Sequence, residues 1–207
     1  MKTQTKETQA VMTPSQALQL LKEGNNRFQQ NSMVGRNLVD QVHETSQGQF
    51  PFATILHCID SRVSSELIFD QGVGDIFSIR IAGNFVNEDI LGSMEFACKL
   101  AGTKLVVVMG HSKCGAIKGA CDNAQLGNLT TLLSKLKPAV DAIKEPTENR
   151  NSGNSEFVDN VAHKNVDLTI ANIKEQSPVL NEMFLNGEIN IVGAFYSVDT
   201  GEVTFLD

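Results

Sequence analysis

The chain has little of what several protein classes require. It contains no tryptophan, one tyrosine, five prolines and four cysteines among 207 residues. Four scattered cysteines are too few for a disulfide scaffold, and the polar amino terminus predicts neither a secretory signal nor a membrane anchor. No apolar run reaches the length that spans a bilayer. We therefore expect a reducing compartment, a cytoplasmic location and no contact with membranes.

Positive charge is also scarce. Lysine and arginine number 17 against 24 aspartates and glutamates, for a formal net charge of −7. Because nucleic-acid affinity depends on clustered Lys and Arg, this balance predicts no nucleic-acid partner. With 41% hydrophobic residues, the length favours a single domain, residues 1–207, over two.

Apolar runs alternate with helical patterns, which is typical of an α/β fold. The runs that predict parallel strands are 52–56, 76–81, 105–109 and 189–196. The third is apolar throughout, as expected when helices cover both faces of a sheet. The helical patterns lie at 64–69, 90–101, 116–121, 129–143, 158–173 and 178–185. The turn at 199–201 leads to a short strand at 203–205. We predict a mainly parallel central sheet of four strands with an added antiparallel edge strand, flanked by helices.

A further helix is predicted near the amino terminus. Thr13 suits the N-cap and Pro14 the first helical position. Leu18, Leu21 and Phe28 fall near one face, so the helix is amphipathic and must cover an apolar surface. That surface is either the chain's own sheet or a second subunit, and the sequence alone does not decide between them. Residues 31–48 form a polar stretch before the first strand.

Two strand ends carry residues that bind metals. Cys58 follows the first apolar run, and His111 and Cys114 follow the third. In an open parallel sheet the carboxyl ends of neighbouring strands form the crevice where ligands bind, so these side chains are expected to converge. Two thiolates and an imidazole suit tetrahedral zinc, and three protein ligands leave the fourth position open, as in catalytic sites.

The remaining cysteines and histidines have simpler interpretations. A cysteine taken singly is most often a small core residue, and we expect this of Cys98 and Cys121. His57 is expected to be packed or hydrogen-bonded, and His43 and His163 to lie at the surface.

Two further patterns are also explained without a ligand. Residues 110–115 have phosphate-loop spacing but lack the Lys-Ser/Thr that must follow, which excludes that function. Arg80 is interpreted as a salt-bridge partner within the core.

The pattern Cys58-x-Asp60-x-Arg62, followed about fifty residues later by His111-x-x-Cys114, resembles the β-class carbonic anhydrases. The likeness extends to the segments 74–84 and 92–97 and covers roughly residues 14–207. The departures are Ile59 where Ser is usual, Ile81 where Asn is usual and Phe96 where plant-type enzymes have Tyr. None of them removes a metal ligand.

The resemblance implies a carbonic anhydrase, a lyase that reversibly hydrates carbon dioxide to bicarbonate and a proton through a zinc-bound hydroxide. One Zn²⁺ per subunit would be bound by Cys58, His111 and Cys114, with Asp60 and Arg62 as the catalytic dyad. The positions that it implies for substrate binding, with some of the wall supplied by a partner subunit, are Gln49, Phe77, Ala82, Phe96 and Gly115. It also implies a homodimer or homotetramer, with residues 1–45 as an N-terminal helical arm.

The chemistry of this site raises two questions. Two thiolates donate more charge than three imidazoles, so the metal-bound water should be less acidic unless something compensates. A bidentate pair with Arg62 would hold Asp60 off the metal, whereas Asp60 as fourth ligand would close the site. In relatives that close, a tryptophan precedes the first zinc cysteine by three residues. Here that residue is Ile55, so we predict the open form near neutral pH.

Two alternative functions remain open at this stage. The same fold and zinc site could hydrolyse carbon disulfide or carbonyl sulfide, as some relatives do. A zinc-stabilised interaction protein without catalysis is the other alternative. The presence of Asp60, Arg62 and Gln49 argues against this second alternative, because a structural zinc site needs neither the Asp60–Arg62 dyad nor a substrate-binding glutamine.

Overall fold

A five-stranded sheet organises the computed structural model, which describes residues 3–206. The strands are β1 Ala53–His57, β2 Ile76–Arg80, β3 Leu105–His111, β4 Asn190–Tyr196 and β5 Val203–Leu206. Their order is β2-β1-β3-β4-β5; the first four are parallel, and β5 is antiparallel to β4 at one edge. The predicted fold class is confirmed.

The two central strands position the carboxyl-end crevice. Every residue of β1 and β3 is buried, as their uninterrupted apolar runs predict for strands covered on both faces. His57 is paired with Met109, and His111 is paired with Tyr196 of β4. The chain therefore leaves β1 and β3 side by side at the same edge of the sheet.

Helices flank both faces of the sheet. They are α1 Lys6–Val11, α2 Pro14–Gln29, α3 Leu38–Thr45, α4 Ser65–Ile68, α5 Glu88–Glu95, α6 Gly115–Cys121, α7 Gly127–Ser134, α8 Lys137–Ala142, α9 Ser155–Gln176 and α10 Pro178–Leu185. A π-helical turn, Phe96–Leu100, continues α5. Among residues 3–206, no helix combines the length and apolar composition that a bilayer crossing needs.

The packing of α2 answers the question that the sequence left open. Thr13 and Gln16 form a capping box, and Pro14 lies in the first turn. Ala17 and Leu21 are fully buried in the same cluster as Phe52 of the chain's own sheet region. The apolar face of α2 therefore covers its own sheet.

The helices differ from the prediction in three places. The single helix predicted for 129–143 is wrong, because α7 and α8 are separate helices there. Pro138 lies in the first turn of α8, where its missing N–H is tolerated, whereas a continuous helix would lose a hydrogen bond at that point. Helix α1 was not predicted, and α3 lies inside the stretch read only as polar, with Asn37 as its N-cap.

Candidate metal centre

The structure brings together the three side chains that the sequence expected to converge. Cys58 follows β1, His111 ends β3, and Cys114 is the N-cap of α6. Their ligand atoms all lie within 4.8 Å of one another, and all three residues are buried. The parallel pairing of β1 with β3 delivers these residues from distant parts of the chain to one place.

The distances and protonation of this triad fit zinc. The two Sγ atoms are 3.9 Å apart, and two sulfurs bound at 2.3 Å to a tetrahedral zinc ion lie about 3.8 Å apart. His111 Nδ1 must donate to the Ser112 carbonyl, 3.0 Å away, so Nε2 carries the free lone pair. That Nε2 is buried and has no hydrogen-bond partner among the described residues. Buried polar atoms are nearly always satisfied, and a metal ion would satisfy this one.

The two cysteines behave as a pair. The Cys114 thiol donates to Cys58 Sγ. This hydrogen bond lowers the pKa of the Cys58 thiol and raises the pKa of the Cys114 thiol. A bound cation would displace the proton of this hydrogen bond, because metals bind thiolates.

Asp60 and Arg62 form the bidentate pair expected of the open form. Arg62 Nε donates to Oδ1 at 3.0 Å and Nη2 donates to Oδ2 at 2.8 Å, while the Arg62 backbone N–H also donates to Oδ1 at 3.0 Å. The guanidinium lowers the pKa of the Asp60 carboxyl to about 2. Asp60 is therefore ionised at neutral pH, and both of its oxygens are engaged by Arg62.

Two further residues hold the backbone around Cys58. His57 Nδ1 donates to the Cys58 carbonyl and Nε2 accepts from Ser78 Oγ, both at 2.9 Å. The ring is fully buried, and burial first, then the charge of Arg80, lowers the pKa of His57 to about 4. Arg80 donates to the carbonyls of Cys58 and Asp60, at 3.3 and 2.8 Å, in place of the expected salt bridge. His57 is hydrogen-bonded as predicted.

The predicted substrate-binding residues fall into two groups. Gly115 follows Cys114 directly, and Ala82 precedes Gly83, whose N–H bonds Cys58 Sγ. Phe77 and Phe96 meet edge to face with ring centroids 6.3 Å apart and line a cavity of about 600 Å³. Gln49 is exposed and lines a separate depression of about 500 Å³. None of the three metal-binding candidates lines either cavity.

The other cysteines and histidines mostly occupy the places expected of them. Cys98 is buried and accepts a hydrogen bond from Thr103 Oγ1, which is a core role. All four cysteines, which lie within the described residues, are free. Cys121 is partly buried against a core cluster, and His43 is exposed. His163 is partly exposed, and its half-buried ring stacks on Phe195 with centroids 3.8 Å apart.

A buried Cys–His–Cys triad at the carboxyl edge of a parallel sheet, with an ionised carboxylate nearby, defines a candidate metalloenzyme centre. The family model described as carbonic anhydrase matches residues 53–203. Carbonic anhydrase 2 of Mycobacterium tuberculosis is 35% identical over 204 residues, which cover 94% of this chain and 93% of the relative. The chain belongs to the β-class carbonic anhydrases, the enzymes that hydrate carbon dioxide.

Solved structures of the same class share the fold. The β-carbonic anhydrase CcaA superposes with a TM-score of 0.75 at 26% identity, over 92% of this chain and 87% of that chain. One of two tetrameric β-carbonic anhydrases from Sordaria macrospora gives a TM-score of 0.68 at 25% identity, over 81% of this chain and 90% of that chain.

Proposed function

We propose that the chain catalyses the reversible hydration of carbon dioxide to bicarbonate and a proton with one Zn²⁺ per subunit, held by Cys58, His111 and Cys114. The observation that carries this proposal is the buried His111 Nε2, which has no partner among residues 3–206 and belongs to a triad whose ligand atoms lie within 4.8 Å of one another. Held by these residues, zinc would act as a Lewis acid that lowers the pKa of a water molecule and would so supply the nucleophile for carbon dioxide.

Asp60 and Arg62 orient the reacting water in this proposal. Asp60 is ionised at neutral pH, and an ionised carboxylate only accepts hydrogen bonds. Asp60 would therefore accept a hydrogen bond from the reacting water, and this bond would orient a lone pair of the water oxygen towards the carbon of the substrate. Arg62 holds the carboxylate in one orientation through its two parallel hydrogen bonds.

The residues around the triad keep its ligands in place. The Ser112 carbonyl fixes the tautomer and ring orientation of His111. His57 and Arg80 both donate to the Cys58 carbonyl, so the backbone that carries this ligand is held from two sides. Burial of all three ligands excludes bulk water from the sulfurs.

We also propose that the enzyme is a homodimer or homotetramer in which Gln49, Phe77 and Phe96 line the substrate site of a neighbouring subunit. Phe96 is 53% exposed in the single chain, and Gln49 is exposed as well. Helix α3 presents further exposed apolar side chains, namely Leu38, Val39 and Val42. The Sordaria macrospora relatives are described as tetrameric. A single domain over 1–207 with an arm at 1–45, and the cytoplasmic location, stay predictions.

The alternative activity considered from the sequence, hydrolysis of carbon disulfide or carbonyl sulfide, has no support from the relatives, which are named carbonic anhydrases.

Stopped-flow hydration of carbon dioxide by the zinc-loaded enzyme tests the proposal. Asp60→Asn keeps the shape of the side chain and removes its charge, so we expect full zinc content and a loss of about 100-fold or more in rate. The matched control is Asp141→Asn, which changes an exposed aspartate paired with Lys137 and should leave the rate unchanged. A zinc-loaded wild type without this activity, or an Asp60→Asn variant as fast as the wild type, would contradict the proposal.

A further inference from the structure

The sulfur of Cys58 receives a hydrogen bond from a turn with a left-handed backbone. Gly83 N–H donates to Cys58 Sγ at a distance of 3.5 Å. Gly83 has φ +81°, a conformation that residues with a Cβ rarely adopt, and an added Cβ would lie 2.6 Å from Leu136 Cδ1. Asn84 follows with φ +41°. Such a turn keeps its shape only where its surroundings hold it.

Two buried side chains of α9 hold this turn. Asn165 Nδ2 donates to the Gly83 carbonyl at 2.8 Å, and Thr169 Oγ1 donates to the Asn84 carbonyl at 3.3 Å. Asn165 and Thr169 are one helical turn apart, and they are 3% and 2% exposed. Val161 and Val166 lie nearby on the buried side of α9, where a polar side chain costs free energy unless it is hydrogen-bonded. The hydrogen bonds of Asn165 and Thr169 to the turn offset that cost.

The hydrogen bond to Cys58 matters for the chemistry of a metal bound there. A thiolate that accepts an N–H donates less charge to its metal, and hydrogen bonds to sulfur are an established means of tuning metal–thiolate centres. Two thiolates donate more charge than imidazoles do, which weakens the metal as a Lewis acid. The Gly83 N–H acts in the opposite direction at one of the two sulfurs.

We propose that Asn165, together with Thr169, is a positioning residue of the metal centre. By holding the Gly83–Asn84 turn, α9 keeps the Gly83 N–H on Cys58 Sγ and limits the charge that this sulfur donates. The inference rests on the metal site proposed above.

Cobalt-substituted protein provides the direct test, because its sulfur-to-cobalt charge-transfer absorption reports the electron density on the thiolates. In Asn165→Ala we expect this band to move to lower energy and zinc affinity to fall about 10-fold or more. Asn160→Ala is the matched control, since Asn160 is exposed on the same helix. This control should reproduce the wild-type band and affinity.

A second pair of variants separates the hydrogen bond from packing. Thr169→Val keeps the volume and removes the donor, whereas Thr169→Ser keeps the donor. We expect the band of Thr169→Val to move in the same direction as that of Asn165→Ala, and Thr169→Ser to keep the wild-type band.

An unshifted band in metal-loaded Asn165→Ala would overturn the inference. If that variant does not fold, an unshifted band in Thr169→Val has the same consequence. Either result would be compatible with the metal site and the carbon dioxide hydration proposed for the wild type. A wild type that binds neither zinc nor cobalt would instead overturn the proposed function, and this inference with it.

Discussion

Acid should destabilise the protein through His57, whose fully buried ring is held between the Cys58 carbonyl and Ser78 Oγ. Burial lowers the pKa of His57 from 6.5 to about 4. Between these two values the unfolded chain binds a proton that the folded chain does not. The free energy of unfolding therefore falls as the pH decreases from about 6.5 to about 4. Above about pH 6.5 the ring is neutral in both states, and His57 no longer lowers the stability.

The size of this effect follows from the pKa difference. A shift from 6.5 to about 4 corresponds to about 3 kcal/mol at about 1.4 kcal/mol per unit. Most of that loss is reached by about pH 4.5. A typical domain has only about 5–15 kcal/mol in total, so the loss is large enough to measure.

Urea denaturation at pH 7.5 and at pH 4.5 measures the effect. The His57→Gln variant carries no titrating ring, so its loss between the two pH values should be smaller than that of the wild type by about 2–3 kcal/mol. Other groups, including the cysteines of the metal centre, contribute to both proteins and cancel in the comparison. His43→Gln, at an exposed position, should behave as the wild type does. Equal losses in wild type and His57→Gln would contradict the lowered pKa of His57.

Two further predictions concern stability and can be checked by chemical denaturation. Gly83→Ala combines a left-handed backbone with a clash against buried Leu136, so it should lower the free energy of unfolding by about 2–4 kcal/mol. In the control Gly187→Ala, the glycine has φ +72° but no atom lies within 4 Å of the added Cβ, so the loss should be about 1 kcal/mol. Equal costs would mean that the turn has room for a side chain. Asp70 is fully buried between Arg27 and Arg36, so Asp70→Ala should cost about 3–5 kcal/mol. Asp141→Ala, which breaks an exposed pair, should cost about 0.5 kcal/mol or less, and a similar small cost for Asp70→Ala would contradict the prediction.

The parts of the fold that were predictable are those in which local pattern and burial agree. Strands β1 and β3 are buried at every position, so their runs are apolar at every position. The start of helix α2 was predictable, because Thr13 suits the N-cap and Pro14 suits the first turn. The short helices α1 and α3 could not be found from an apolar stripe, because the buried residue of each is a glutamine, Gln9 and Gln41 respectively.

The candidate site was predictable to a similar degree. The residues of the triad follow strands that the sequence identifies, so their convergence could be argued from topology. Arg80 and Asn165 were missed because they bind backbone carbonyls, and Asn165 reaches a carbonyl 82 residues away. The available signal for Asn165 was its place on the buried stripe of α9, where an unexplained polar residue indicates a hydrogen-bonded role.

We attribute catalysis to a zinc ion bound by Cys58, His111 and Cys114. X-ray absorption at the zinc edge of the active enzyme, combined with metal analysis, tests this assignment most directly. We expect one zinc per chain with two sulfur ligands at about 2.3 Å, a histidine nitrogen at about 2.0 Å and a light atom in the fourth position. An active enzyme without stoichiometric zinc, or with a zinc shell that lacks two sulfurs, would contradict this assignment of the metal ligands.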